Sequence, residues 1–155
     1  MFEKYIEKVL EHEGGYVNDS DDLGGETKYG ITKRFYPDLD IKNLTKEQAK
    51  EIYYKDYWLK NFCDKLPDGI QYIHFDTAIN MGGFRAAKFL QKSIGGISVD
   101  GKIGANTLKN AFGADLKTYI KERVYYYNSI CKSRPEQLKF INGWHGRVID
   151  IIFEI

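Results

Sequence analysis

The chain is short of several things, and each shortage excludes something. Two cysteines among 155 residues, Cys63 and Cys131, lie far apart and in no metal-ligand spacing. A disulfide scaffold and a cysteine zinc site are excluded, and two free thiols in a reducing compartment are expected. There is no long apolar run. The longest, from Val148 to Phe153, is broken by Asp150 and is far too short to span a bilayer. The opening Met1-Phe2-Glu3-Lys4-Tyr5-Ile6-Glu7 is interrupted by acids and lacks the apolar core of a secretory signal. These features predict a protein made in the cytoplasm without a signal peptide and not inserted in a membrane. Nor is there an excess of one charge: 23 Lys and Arg face 22 Asp and Glu, for a net +1. That argues against a wholly basic nucleic-acid binder. A chain of this length buries about 70% of its unfolded surface, so it needs no metal or disulfide staple.

The near-zero net charge hides a split. Residues 1–78 hold 11 Lys and Arg against 16 Asp and Glu, and residues 79–155 hold 12 against 6. The halves therefore carry −5 and +6. Aromatics make up 15% of the chain, 12 of them tyrosine.

Helical patterns alternate with glycine-rich loops. Tyr5, Ile6, Val9 and Leu10 follow helical spacing until Gly14-Gly15 stop the run. Residues 14–32 hold five glycines and four acids with almost no periodicity, which predicts a loop or a short irregular hairpin. Thr45 and Gln48 form a capping box for a helix over 46–58, burying Ala49, Ile52, Tyr53 and Tyr57. Pro67 suits the first turn of the next helix, whose face carries Ile70, Ile73, Thr77, Ala78 and Met81. Phe84, Ala87, Leu90 and Ile94 mark another, ended by Gly95-Gly96. After the loop at Asp100-Gly101-Lys102-Ile103-Gly104, Thr107 sits in a short helix. Leu116, Tyr119, Ile120, Tyr127 and Ile130 mark a long one. Pro135 opens the last, through Leu138, Ile141, Trp144 and Val148. The predicted class is mostly α. The glycine pair near the charge reversal suggests two lobes, 1–94 and 95–155.

The densest chemistry runs from His12 to Thr32. Between residues 11 and 26 there are six acids and no Lys or Arg. Acids this crowded repel one another, which favours a titrating group or a ligand among them. His12-Glu13 begins a zinc-protease pattern, but Tyr16 stands where its second histidine would be. Asp19, Asp21 and Gly24 match three positions of a calcium loop, but Leu23 and Gly30 occupy two ligand positions. The remaining reading is acid/base hydrolysis of a glycosidic bond, which needs one protonated carboxyl and a second group for water or charge. Glu13 suits the acid role. It closes the first helix, where the negative end of the dipole disfavours ionisation, and neighbouring acids push its pKa the same way. The bland alternative is a solvated residue at a helix end.

Glu13-Gly14-Gly15-Tyr16-Val17-Asn18-Asp19, then Asp22, Gly24-Gly25, Thr27 and Gly30-Ile31-Thr32, resembles the signature of glycoside hydrolase family 108, the N-acetylmuramidases of phages and bacteria. Phe75-Asp76-Thr77-Ala78-Ile79-Asn80-Met81-Gly82, and Gly143-Trp144 with Arg147, resemble further segments of it. Asp100-Gly101, Gly104 and Thr107 resemble the loop of the family's C-terminal predicted peptidoglycan-binding region. The resemblance spans essentially the whole chain. It implies a lysozyme-like helical fold with a glycine-rich acidic active-site loop. It also implies cleavage of the β-1,4 bond between N-acetylmuramic acid and N-acetylglucosamine, with Glu13 as the acid. One departure is Ser20, where the family often has Pro; it removes no reactive group. The wider phage-type lysozymes follow their glutamate with an aspartate and a threonine that position water. Asp22 and Thr27 stand at roughly similar spacing, with Asp19 a rival to Asp22.

Tyr16 and Tyr29 flank the acids and either line sugar faces or pack as core residues. Asp19 and Asn80 complete the candidate substrate contacts. His74, on the apolar face with Ile70, Thr77 and Ala78, reads as a buried structural histidine. Asp76 reads as structural. Lys117, Lys121 and Arg123, with Lys132 and Arg134, read as a solvated helix face; the functional alternative is attraction to anionic wall polymers. Tyr125-Tyr126-Tyr127 cannot all face one way, so at least one is exposed or lines a groove. The expectation is a monomeric peptidoglycan hydrolase of the phage or prophage endolysin type. It acts on glycan strands of the bacterial wall with no cofactor, no metal and no nucleic-acid partner. The rival is a non-catalytic peptidoglycan-binding or secretion-associated protein on the same fold.

Overall fold

A computed structural model describes residues 1–13 and 26–155, with the side chains of His12 and Glu13 also outside the described set. The fold is mostly α and lysozyme-like, as expected. The described chain forms two compact units, Met1–Trp58 and Leu59–Ile155. No helix among the described residues is long and apolar enough to cross a membrane.

In the first unit, α1 (Phe2–Glu13) buries Tyr5, Ile6, Val9 and Leu10, the stripe that a 3.6-residue repeat places on one side. A two-stranded hairpin follows, β1 (Thr27–Lys28) with β2 (Ile31–Thr32). The helix α2 (Lys46–Tyr53) starts on the expected capping box. Thr45 Oγ1 accepts the Gln48 N–H at 3.2 Å, and Gln48 Oε1 accepts the Thr45 N–H at 2.9 Å. Ala49 and Tyr53 are buried, but Ile52 and Tyr57 are only half-buried. The reason is a change of winding: Tyr54–Leu59 is π-helical. A wider turn rotates the inward face, so Trp58 takes the core position. Its ring meets Phe2 and Tyr5 at centroid distances of 5.6 and 6.3 Å.

The second unit is built around α3 (Asp68–Met81), buried without interruption from Ile70 to Ala78. A helix enclosed on all sides carries apolar residues beyond one stripe, and its buried Gln71, His74, Asp76 and Thr77 must find polar partners inside. Pro67 is its N-cap, one position before the expected first turn. The helices α4 (Gly83–Ile94) and α6 (Leu116–Ser133) pack on α3 and on each other, and α7 (Ile141–Glu154) packs on α6. The short α5 (Ala105–Asn110) lies between α4 and α6 in sequence. Gly95, with φ of 68°, ends α4 as expected. Phe84, assigned to the apolar face of α4, is 59% exposed. Pro135 opens a 3-10 stretch, Pro135–Phe140, so the expected last helix is divided and Leu138 lies exposed. Both cysteines are free thiols, Cys63 buried and Cys131 half-buried.

Candidate active site

The hairpin is the described part of the acidic loop region. Its two turn residues, Tyr29 and Gly30, both have positive φ, 52° and 74°. Positive φ at both positions is the requirement of the type I′ turn, whose twist matches that of the flanking strands. Glycine adopts it freely, whereas tyrosine pays about 1–2 kcal/mol for the left-handed region. The buried Tyr53 compensates in part by donating its hydroxyl to the Tyr29 carbonyl at 2.9 Å. Lys28 Nζ lies 5.6 Å from the centre of the Tyr29 ring and donates to the Lys42 carbonyl at 3.0 Å. Ile31 is buried and anchors the ribbon.

In the ladder, Thr27 stands opposite Thr32 and Lys28 opposite Ile31. Side chains alternate along a strand, so the two threonines share the face away from Ile31. The Thr32 carbonyl accepts the N–H groups of Phe35 and Tyr36 at 3.1 and 3.2 Å. This tight turn leads into a cavity of about 380 Å³ lined by Phe35, Tyr36, Pro37, Asp38 and Leu39. Phe35 is 73% exposed there. The walls are pinned. Tyr36 donates to Asp56 Oδ2 at 2.8 Å, and Lys33 Nζ donates to the Leu39 carbonyl at 2.7 Å. Burial, then the bond to Asp56, push the Tyr36 hydroxyl far above its ordinary range, so it stays protonated and donating.

Of the predicted site residues, Thr27 and Tyr29 lie together on this hairpin. The backbone of Glu13 ends α1. Its side chain, with Tyr16, Asp19 and Asp22, lies outside the described residues. Asn80 belongs to the second unit. It is exposed near the end of α3, and its amide donates to the Asp76 carbonyl one turn back at 2.8 Å. Thr32, Phe35 and Tyr53 are not among the site residues expected from sequence, where Tyr53 reads only as a buried position of its helix. Thr32 follows Gly30-Ile31 in the recognisable run, but only strand pairing puts it opposite Thr27.

The conspicuous polar residues of the second unit serve its framework. Asp76 is buried and accepts from Arg123 and from Arg147 Nε, the latter at 2.8 Å. Burial pushes its carboxyl up, but the two guanidinium groups outweigh this and hold it below the usual range. Arg123 also donates to Thr77 Oγ1 and to the Tyr127 hydroxyl, at 3.3 and 3.2 Å. This corrects the expectation of a solvated Arg123: it is fully buried. It lies one turn from both Tyr119 and Tyr127, the inward positions of α6. Trp144 stacks on Tyr127 at 4.9 Å between ring centres. Of the three consecutive tyrosines, Tyr125 is exposed, the Arg85 guanidinium sits 3.7 Å over the Tyr126 ring, and Tyr127 is buried.

His74 is the structural histidine its neighbours suggested. Its Nδ1 meets the Tyr119 hydroxyl at 3.0 Å and its Nε2 the Asn61 carbonyl at 3.2 Å. A neutral ring protonated at Nε2 satisfies both partners. Burial pushes its pKa down to about 4. At the Asp100-Gly101 turn, the buried Gln91 donates to Asp100 Oδ1, the Lys102 carbonyl and Thr107 Oγ1 at 2.8, 3.0 and 3.3 Å. It accepts the Gly101 N–H at 2.8 Å. Gly101 has a φ of 76°, and a Cβ there would stand 2.4 Å from the Phe84 ring.

Comparison with known proteins gives two family matches. The model of glycosyl hydrolase 108 matches residues 6–82. That of a predicted peptidoglycan domain matches residues 85–149. The two meet at the α3–α4 junction. Among solved structures, the chain is similar to SagA of Brucella abortus, with 34% identity over 99% of this chain and 92% of that one, at a TM-score of 0.79. No curated protein matches.

Proposed function

The chain belongs to glycosyl hydrolase family 108 and is a glycoside hydrolase acting on cell-wall peptidoglycan; on that premise we propose that it is an N-acetylmuramidase with Glu13 as its general acid. The bond cut is the β-1,4 link between N-acetylmuramic acid and N-acetylglucosamine. The observation that carries this reading is the family match over α1, the acidic loop and the hairpin, which takes in Glu13 where α1 ends.

Glu13 gives its proton to the glycosidic oxygen as the C1–O bond breaks. A water adds at C1, and its proton passes to Asp22. Thr27 holds that water, and Asp19 is the alternative base. A glutamate ending a helix, among other acids, is disposed to stay protonated until it acts. If the two carboxyls stand about 6.5–9.5 Å apart the reaction inverts; near 5 Å it retains through a covalent intermediate. Tyr16, Tyr29 and Asn80 contact the sugars, and the exposed Phe35 of the neighbouring cavity offers a further apolar face to a pyranose ring. We assign catalysis to residues 1–94 and wall binding to residues 95–155, where the positive charge meets an anionic polymer. The enzyme acts as a monomer of the phage or prophage endolysin type, without a cofactor.

Purified protein should clear suspended walls and release new reducing ends, and Glu13→Gln should slow release by about 10²–10⁴-fold. Wild-type protein that binds walls without cutting them would sink the muramidase reading.

A further inference from the structure

An exposed phenylalanine is ordinary by itself. Phe84, in the first turn of α4, is set apart by its mounting. The helical repeat puts Phe84, Lys88 and Gln91 on one face of α4. The Asp100-Gly101 turn packs against that face. Gln91 grips it through the Asp100 carboxylate, the Gly101 N–H and the Lys102 carbonyl. The Phe84 ring lies so close to Gly101 that a Cβ there would stand 2.4 Å from it. Only glycine allows that approach, and a φ of 76° favours glycine again. The residue is nevertheless 59% exposed. A turn pinned from inside seats a large apolar ring and leaves it accessible.

The surroundings of the ring select a ligand. Lys88 Nζ stands 4.7 Å from the ring centre, and Lys102, at the end of the turn, is exposed. These two charges outnumber that of Asp100, whose Oδ1 already accepts from Gln91 and from the Lys102 N–H. An aromatic face is electronegative and accepts the C–H side of a sugar ring. An ammonium group beside it pairs with a carboxylate. A peptidoglycan strand presents both together, pyranose rings and the carboxylates of its lactyl groups or stem peptides. Because the ring is seated beforehand, little conformational freedom is lost on binding. The match to a predicted peptidoglycan domain begins at residue 85, one position after Phe84.

We propose that Phe84, Lys88 and the Asp100-Gly101 turn form a wall-binding site, with a pyranose ring of the peptidoglycan strand on the open side of Phe84 and a carboxylate of the strand on Lys88. Gln91 and Gly101 are its support and do not touch the ligand. The inference rests on the reading of the C-terminal part as the wall-binding region, and it extends that region back into α4.

The test is co-sedimentation of the full chain with purified peptidoglycan sacculi, scored in the cold before they clear, together with kcat on short soluble muropeptide fragments. Phe84→Ala should weaken sedimentation about 10-fold and leave kcat on the fragments unchanged, and Phe84→Tyr, which keeps the ring, should bind as the wild type does. Lys88→Glu, a surface change that leaves the ring in place, should also weaken binding, most at low salt. On sacculi stripped of stem peptides by an amidase, the Lys88→Glu loss disappears if the carboxylate belongs to the peptide and persists if it is the lactyl group. Either Phe84→Ala or Lys88→Glu binding sacculi as tightly as the wild type would overturn the proposal. So would a fall in kcat on the fragments with Phe84→Ala, which would move the ring into the catalytic cleft. If the wild type sediments and Phe84→Ala sediments equally, only the present inference fails. If the wild type does not sediment with sacculi at all, the wall-binding reading beneath it fails as well.

Discussion

The hairpin at Thr27–Thr32 and the turn at Asp100-Gly101 are built alike. Each is short and polar, and each bends on a glycine of positive φ, 74° at Gly30 and 76° at Gly101. They dispose of their polar groups in opposite ways. At the second turn Gln91 gathers Asp100, Gly101, Lys102 and Thr107 into one internal network. The Asp100 side chain also accepts the Lys102 N–H at 2.9 Å, the local bond aspartate makes in turns. These groups are occupied in holding the chain. At the hairpin a tyrosine sits in a left-handed conformation, and the buried Thr32 hydroxyl has no hydrogen-bond partner among the described residues. Strain and unsatisfied polarity persist where something besides stability is selected. A motif residue that faces inward is framework even when it looks like a ligand.

If this contrast is right, changes to the framework should move stability and leave chemistry alone, whereas changes at the hairpin should do the reverse. The largest framework effect concerns His74. Its pKa is about 4 in the folded protein against about 6.5 in an unfolded chain. As pH falls through 6.5 the unfolded chain takes up the proton first. Stability that is complete above that pH is then lost progressively down to pH 4, by about 3 kcal/mol. Urea unfolding followed from pH 7 to pH 4 should show this slope, and His74→Gln should flatten it. A wild type with no slope in this window would remove His74 from the framework.

Next in size is Gln91→Leu, which strands the partners of one amide in the interior. We expect a loss of about 1–3 kcal/mol, read by urea unfolding, with kcat on short soluble fragments unchanged below the transition. A fall in kcat with intact stability would place the Asp100 turn in the active machinery and dissolve the contrast.

The smallest effect sharpens the other side. Tyr53→Phe removes the hydroxyl that supports Tyr29, at a cost of about 1 kcal/mol. Because the hairpin then samples more conformations, kcat should drop by more than that stability loss implies. An unchanged kcat would mean that the Tyr29 conformation does not matter to the reaction.

Much of the architecture could be read directly. The Thr45–Gln48 capping box, the α1 stripe and the Gly95 stop are local signals, because they depend on residues within one helical turn of each other. What misled were places where distant packing overrules local preference. The π-helical turn at Tyr54–Leu59 put Trp58, not Tyr57, in the core. Arg123 looked solvated because charge predicts exposure, until Asp76, Thr77 and Tyr127 were seen around it. At the candidate site, Glu13 stood out through the pattern of the acidic loop, and Thr27 only through the resemblance to the threonine of phage-type lysozymes. Thr32 and Phe35 did not, because neither a strand partner nor a cavity wall has a signature in a window of neighbouring residues.

By itself, then, the order of residues determined the helical class, most helix ends, the two halves of unlike charge and the run of acids around Glu13. All of these follow from spacing and composition over a few residues. Only tertiary structure decided which polar groups are framework and which are free to act. Asp76, Gln91 and His74 were drawn into the second unit's interior by partners 9 to 71 positions away. The Thr32 hydroxyl, one strand across from Thr27, is buried with no partner among the described residues. Whether a buried polar group is paired depends on what the whole fold brings to it, and no local pattern carries that information.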